Sequence, residues 1–173
     1  MNKKYEFVEG DTIVIAPGRT VKRIRALVAI AAVAWLPPVN PGDLGGYVES
    51  EANLRVSGNA WVYGNALVSG NAQVSGDAQV SGNAWVPGDG LICWFSHVGT
   101  ESGTLTVYNG RDNTLLCTRG CFSGTVDEFL TKSAAVHGDR IRHEYKLLIE
   151  VARSRIESAR AEIAEPDEAQ EAA

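Results

Sequence analysis

The side chains with the most obvious chemical capacity fall into three groups. Cys93 and His97 form one Cys-x3-His pair, and Cys117 and Cys121 a Cys-x3-Cys pair. Thiolates and imidazole are zinc ligands. On a strand, residues i and i+4 share a face but lie about 13 Å apart. Cys93 and Cys117 also sit among apolar residues, so buried structural thiols are the expected reading. His97, His137 and His143 are the three imidazoles that could act as a base. The latter two fall in helical or capping contexts, which leaves His97. Arg19, Lys22, Arg23 and Arg25 place four cations within seven residues. They read most simply as the solvated face of a strand, with Ile24, Ala26, Val28 and Ile30 pointing inward. The sharper alternative is an anion site for a nucleotide-like ligand, which Arg111 and Arg119 could join across a subunit boundary. No catalytic residue, metal or cofactor is assigned.

The elements that must position these residues differ in charge. Residues 1–55 carry seven basic and six acidic side chains, residues 56–110 none and three, and residues 111–173 nine and twelve, for a net charge of −5. Duplex affinity comes mainly from phosphate neutralisation, so 55 residues without a cation make a poor nucleic-acid surface. The longest apolar run, Ala26 to Leu36, has 11 residues, against the ~20 needed to cross a bilayer. Lys22, Arg23 and Arg25 precede it as in a signal peptide, but Pro37-Pro38 follows in place of a small-residue cleavage site. A buried strand is expected there. Three cysteines are not a secreted disulfide framework, which points to a reducing cytoplasm.

A repeat fills much of the stretch without cations. From Val56 the chain reads VSGNAW, VYGNAL, VSGNAQ, VSGDAQ, VSGNAW, VPGDGL. Val recurs every six residues from 56 to 86, and Ala follows four later at 60, 66, 72, 78 and 84. Ala52-Asn53-Leu54 continues the pattern, but Ala52 lies eight residues before Ala60, so Arg55 and Val56 read as a two-residue insertion. Ala and Val two apart share one face of a short strand, and the residue between them takes the other. Gly-Asn and Gly-Asp then turn the chain. A turn every six residues is too frequent for hairpins of ordinary strands, but suits a coil whose strands stack in parallel on the next.

This pattern resembles the hexapeptide-repeat, left-handed β-helix family, in which three hexapeptides make a triangular coil of 18 residues. Upstream lies GDLGGYVESEANL, from Gly42 to Leu54, and downstream lie CWFSHVGTESGTLTVYNG and TRGCFSGTVDEF. That order is similar to proteins encoded by tailed phages and prophages, over residues 42–163. The resemblance implies a prism of about two coils, packed side by side as a homotrimer. Its outward positions would be Trp61, Leu67, Gln73, Gln79, Trp85 and Leu91. Trp61, Leu67 and Trp85 are then the candidate oligomer contacts, since exposed apolar patches mark interfaces. A cover of the Leu67/Trp85 face by the terminal helix is the alternative.

Beyond the repeat, Leu91–Ser96, Thr104–Tyr108 and Thr114–Thr118 read as a three-stranded antiparallel meander. Thr125-Val126-Asp127-Glu128 is a capping box, so a helix begins near Val126 and ends at His137-Gly138. A second helix runs from Asp139 to about Glu165, with apolar positions from Ile141 to Ile163 spaced about 3.67 residues apart, the period of a straight amphipathic helix. The expected fold is mainly β: N-terminal strands and a cap over residues 1–47, a short left-handed parallel β-helix over 48–91, an α+β region with a small meander and two C-terminal helices over 92–165, and a disordered acidic tail over 166–173.

Two coils offer too short a groove for the CoA-type donor of a hexapeptide-repeat acyltransferase, and the prism has no cation for its phosphates. The expected function is therefore non-enzymatic: a trimeric phage accessory protein of the host cytoplasm, with no nucleic-acid or membrane partner. It would bind a small anionic ligand, such as a host nucleotide immune signal, as a counter-defence. A virion or tail accessory part and an acyltransferase are the alternatives. An anion should bind through residues before 56 or after 110, outside the cation-free walls.

Overall fold

The computed structural model describes residues 3–31 and 38–164. The chain is mainly β, with two helices at the C-terminal end, and its sheets are not closed. It opens with a hairpin of β1 (Tyr5–Ala16) and β2 (Arg19–Ala26), turned at Pro17-Gly18. Strand β3 (Leu44–Val48) runs antiparallel to β2 and presents its other edge to the repeat. Ile24, Ala26 and Ile30 are buried as expected, but Leu27 and Val28 are each 40% exposed. The apolar run is thus not one strand: β2 ends at Ala26, and Ile30 pairs with Val39 as an isolated bridge. Its residues 32–36 lie outside the described residues, as does the acidic tail.

The repeat forms very short strands: β4 (Trp61–Val62), β5 (Leu67–Val68), β6 (Gln79–Val80) and β7 (Trp85–Val86). They pair in parallel, Trp61 with Gln79 and Leu67 with Trp85, each 18 residues apart. Upstream the offset is 20, between Tyr47 and Leu67 and between Leu54 and Val74. Two extra residues at 55 and 56 produce that difference. Val56 is 61% exposed, so it belongs to the insertion and not to the buried ladder, whose place Leu54 fills. The Ala and Val positions from Ala60 to Val86 are buried. Burying a Val side chain contributes about 1.5–3 kcal/mol, so the ladder is the main store of stability in this stretch.

Glycine is required at the corners. Gly58 and Gly70 have φ of 74° and 61°, in the left-handed region. A Cβ on Gly58 would overlap the Gly76 carbonyl, and one on Gly70 the Pro87 carbonyl. The adjoining Asn side chains tie successive layers: Asn59 Nδ2 donates to Asp77 Oδ1 at 3.0 Å, and Asn71 Oδ1 accepts from the Asp89 N–H at 2.6 Å.

Both ends of the stack are covered. Lys4 reaches in from the N-terminal hairpin and donates to the carbonyls of Arg55, Gly58 and Ala60. At the other end lies a four-stranded antiparallel sheet of β8 (Ile92–Val98), β9 (Gly103–Asn109), β10 (Leu115–Arg119) and β11 (Phe122–Thr125). The meander therefore has one strand more than expected, because Gly120-Cys121 makes a two-residue turn and β10 continues into β11. Its side chains satisfy the last layer of the stack. Thr118 Oγ1 donates to the Gln79 carbonyl at 2.7 Å, and Asn109 Nδ2 to that of Trp85 at 2.8 Å.

Helix α1 (Val126–Val136) starts at the reciprocal Thr125–Glu128 capping box, and α2 (Asp139–Ala164) follows. The α2 helix lies against β8 and β9 and buries Ile141, Tyr145, Ile149, Ala152, Ile156 and Ala159. Ile163, expected on that stripe, is exposed. Among the described residues, no helix is long and apolar enough to cross a membrane.

Candidate functional site

The cations of β2 are already partnered within the chain. Arg19 makes a bidentate contact with Glu49, at 2.9 and 2.7 Å, and Glu49 also accepts the Gly70 N–H at 2.6 Å. Those bonds hold the Glu49 carboxyl down to about 2. Arg23 donates to Asp11 at 2.9 Å and to the Tyr47 hydroxyl at 2.7 Å, and stacks 4.2 Å from the Tyr47 ring centroid. Arg25 is held by Glu6. Lys22 Nζ lies 5.3 Å from the Phe7 ring centroid. An incoming anion would have to displace a carboxylate at three of these four positions. The nucleotide-like site expected from Arg19, Lys22, Arg23 and Arg25 is corrected accordingly: Arg19 and Arg23 fasten the hairpin to β3 and the stack, and Lys22 and Arg25 tie β2 to β1. Arg111 is exposed in the turn after β9, where its backbone N–H donates to the Asn83 carbonyl.

Arg119 differs from the other five. It ends β10, is only 8% exposed, and among the described residues has no carboxylate within salt-bridge distance. Its side chain runs past two glycines of the β8–β9 hairpin. A Cβ on Gly103 would stand 2.5 Å from its Nη1, and a Cβ on Gly99 would collide with the Tyr145 hydroxyl. Its Nη2 donates to the Val98 carbonyl at 2.9 Å, and the guanidinium lies 6.0 Å from the Tyr145 ring centroid. Its Nε has no partner among the described residues. A buried cation without a counter-ion costs several kcal/mol unless other groups compensate.

This guanidinium forms part of the wall of a half-open cavity of about 210 Å³. Phe122, Phe129, Val136 and Tyr145 supply apolar walls. The aromatic rings fix one another: Phe122 and Phe129 centroids are 5.3 Å apart, and those of Phe129 and Tyr145 4.9 Å, near perpendicular. Burial raises the Tyr145 phenol above its ordinary range, so its hydroxyl stays neutral. Ser133, from α1, is 3% exposed and its Oγ has no partner. A helical serine can donate back to the i−4 carbonyl, but this one does not. Such an orphan hydroxyl costs about 1–3 kcal/mol. Lys132, His137, Glu101 and Cys121 complete the lining. On its other side Arg119 borders a space of about 10 Å³ with Asp77, Gln79, Thr104 and Thr106. That is about the size of one water, a fit partner for the orphan Gln79 Oε1 and Arg119 Nε.

The remaining candidates do not assemble. Among the described residues, no three His, Cys, Asp or Glu side chains are grouped to hold a metal. Cys117 is buried, Cys93 half-buried and Cys121 exposed, and burial pushes the first two thiols up, away from the thiolate form. His97 is exposed at a φ of 59°. The expected interface patch is also largely internal. Trp61 is buried under the N-terminal strands, 6.5 Å from the Tyr5 ring, and Leu67 packs with Val21 and Tyr47. Neither is available to a second subunit. Trp85 alone stays on the surface, 37% exposed beside Leu91, Arg160 and Ile163.

Sequence reasoning named Arg119 only as an accessory and missed Phe122, Phe129, Ser133 and Tyr145. The available signal was a cation inside the apolar strand LLCTR, opposite a hairpin with glycines at 99 and 103. No known protein family, curated protein or solved structure matches this chain.

Proposed function

We propose that the protein is a non-enzymatic binding protein whose ligand is a small anion, held by Arg119 in the cavity between the C-terminal sheet, α1 and α2. The observation that carries this reading is a buried guanidinium that, among the described residues, has no carboxylate partner, in the wall of an apolar cavity. An anionic group would supply the missing counter-charge, and low polarity would strengthen the contact. At about 210 Å³ the space is smaller than the ~300–1,000 Å³ of pockets for drug-sized ligands, so the ligand is smaller than a nucleotide. In this proposal residues 48–91 wind as a left-handed β-helix of about two coils. The 18-residue offsets of Trp61–Gln79 and Leu67–Trp85 support it. The helix is the rigid support, and a homotrimer would meet at Trp85. The order of its segments supports a phage or prophage accessory role in the host cytoplasm.

Thermal melting against inorganic phosphate, short carboxylates and cyclic nucleotides tests the reading. The melting temperature should rise with a small anion, and Arg119→Met should abolish that rise without lowering the unliganded melting point. No response to any anion would overturn it. Sedimentation of the Trp85→Glu variant tests the trimer, which should fall to monomer.

A further inference from the structure

Given the reading of Arg119 as an anion site, on which this step rests, we infer that the ligand is a monocarboxylate with a single aromatic ring. The charge of the lining sets the first half. Lys132 and Glu101 are opposite in sign and both border the cavity, so Arg119 supplies the net charge. One net positive charge matches a monoanion. A dianion would carry one uncompensated charge into an apolar space, which is strongly unfavourable. Phosphate and phosphomonoesters are disfavoured on that ground.

The donors set the type of anion. A carboxylate has two oxygens that accept hydrogen bonds, and two of the residues lining the cavity, Arg119 and Ser133, each carry a buried donor atom without a partner among the described residues. The Ser133 Oγ is the more telling of the two. It lies mid-helix with its ordinary acceptor, the carbonyl four residues back, unused. Placed against a ligand oxygen, it would no longer be an orphan.

The walls set the body. An apolar cavity of about 150 Å³ admits one benzene ring. Here about 210 Å³ leaves room for a ring and a short acid arm. Phe122, Phe129 and Tyr145 already meet one another edge-on or tilted, and a further flat ring can join in the same geometry. Acetate would fill too little of this volume, and a long fatty acid would not fit.

Calorimetric titration of the full chain with phenylacetate and benzoate tests the inference, with acetate, inorganic phosphate and benzyl alcohol as comparison probes. One of the two aromatic acids should bind saturably, at least tenfold tighter than acetate, phosphate and benzyl alcohol. Ser133→Ala should weaken it by roughly tenfold, the effect of losing one hydrogen bond to a charged group. Should acetate or phosphate bind as tightly as the aromatic acids, the anion site stands and the aromatic monocarboxylate is wrong. Benzyl alcohol binding as tightly as phenylacetate would show that charge is not read, and would overturn this inference. If no anion binds, both this inference and the anion-site reading fall. The wild-type panel decides these outcomes even if a variant folds poorly.

Discussion

The parallel stack and the C-terminal sheet-helix layer are built to different rules. In the stack every six residues repeat one solution: a buried Val, a buried Ala and a glycine corner. Its side-chain amides bond from layer to layer, as Asn59 does to Asp77. The C-terminal layer follows no repeat, and it buries Arg119 with no carboxylate at salt-bridge distance among the described residues. Among the described residues, buried polar atoms without a partner occur in both regions, Trp61 Nε1, Ser69 Oγ and Gln79 Oε1 in the stack and Arg119 Nε and Ser133 Oγ in the C-terminal layer, but of these residues Arg119 and Ser133 line the cavity of about 210 Å³. Native interiors seldom tolerate such groups, and those that persist call for an explanation. The stack is held by repetition, whereas the C-terminal layer sets a buried cation in the wall of an apolar cavity, the feature on which the proposed binding site rests.

The largest effect that would break this comparison is at the corners. Gly70→Ala adds a left-handed residue and a clash with the Pro87 carbonyl, for a loss of roughly 2–4 kcal/mol in chemical denaturation. Gly64→Ala, with the same backbone region but open space around it, should cost less. Next comes the ladder. Val80→Ala should cost about 2 kcal/mol, or a melting point lower by about 4–8 °C, whereas Val56→Ala should change it by less than about 1 °C. Equal losses at the two valines would contradict the placement of the insertion at 55–56.

Smaller effects sharpen the same contrast. Gly103→Ala pushes on Arg119 and should remove anion binding, measured by calorimetry, while leaving most of the stability of the stack. Acid tests the clamp between hairpin and stack. The Glu49 carboxyl is held at about 2, below its unfolded value of 4.5, by Arg19 and the Gly70 N–H. A depressed folded pKa contributes stability that is full above 4.5 and is lost as pH falls towards 2. Partial exposure and salt reduce the size of that contribution. Glu49→Gln should flatten the melting curve between those two pH values. An unchanged acid transition in that variant would show that the clamp contributes nothing.

How far this was legible in the sequence depends on the range of the contacts involved. The Ala and Val ladder, the glycine corners and the insertion at 55–56 could be read, because each is a local pattern with one physical solution. The Thr125–Glu128 cap and the break at His137-Gly138 were legible for the same reason. The burial of Trp61 and Leu67 was not. It depends on Tyr5, Val21 and their neighbours folding back over positions 46 to 56 residues on, and no local pattern encodes that cover. Strand β11 was hidden because Phe122–Thr125 is only four residues long and abuts the helix cap. The cations of β2 misled because a run of like charge does not show its partners, and Asp11, Glu6 and Glu49 lie on other strands or beyond them. The cation-free stretch of residues 56–110 led the sequence reading to expect any anion site outside it, and the proposed site at Arg119 lies beyond its end.

A backbone amide NMR titration of the wild-type chain with phenylacetate tests the central claim most directly. Shift changes should saturate and concentrate at residues 98–103, 119–122, 129–137 and 145, with the amides of 56–91 unmoved. Saturable changes centred on the stack or on the N-terminal hairpin, or none anywhere, would contradict the division between a supporting repeat and a binding C-terminal layer.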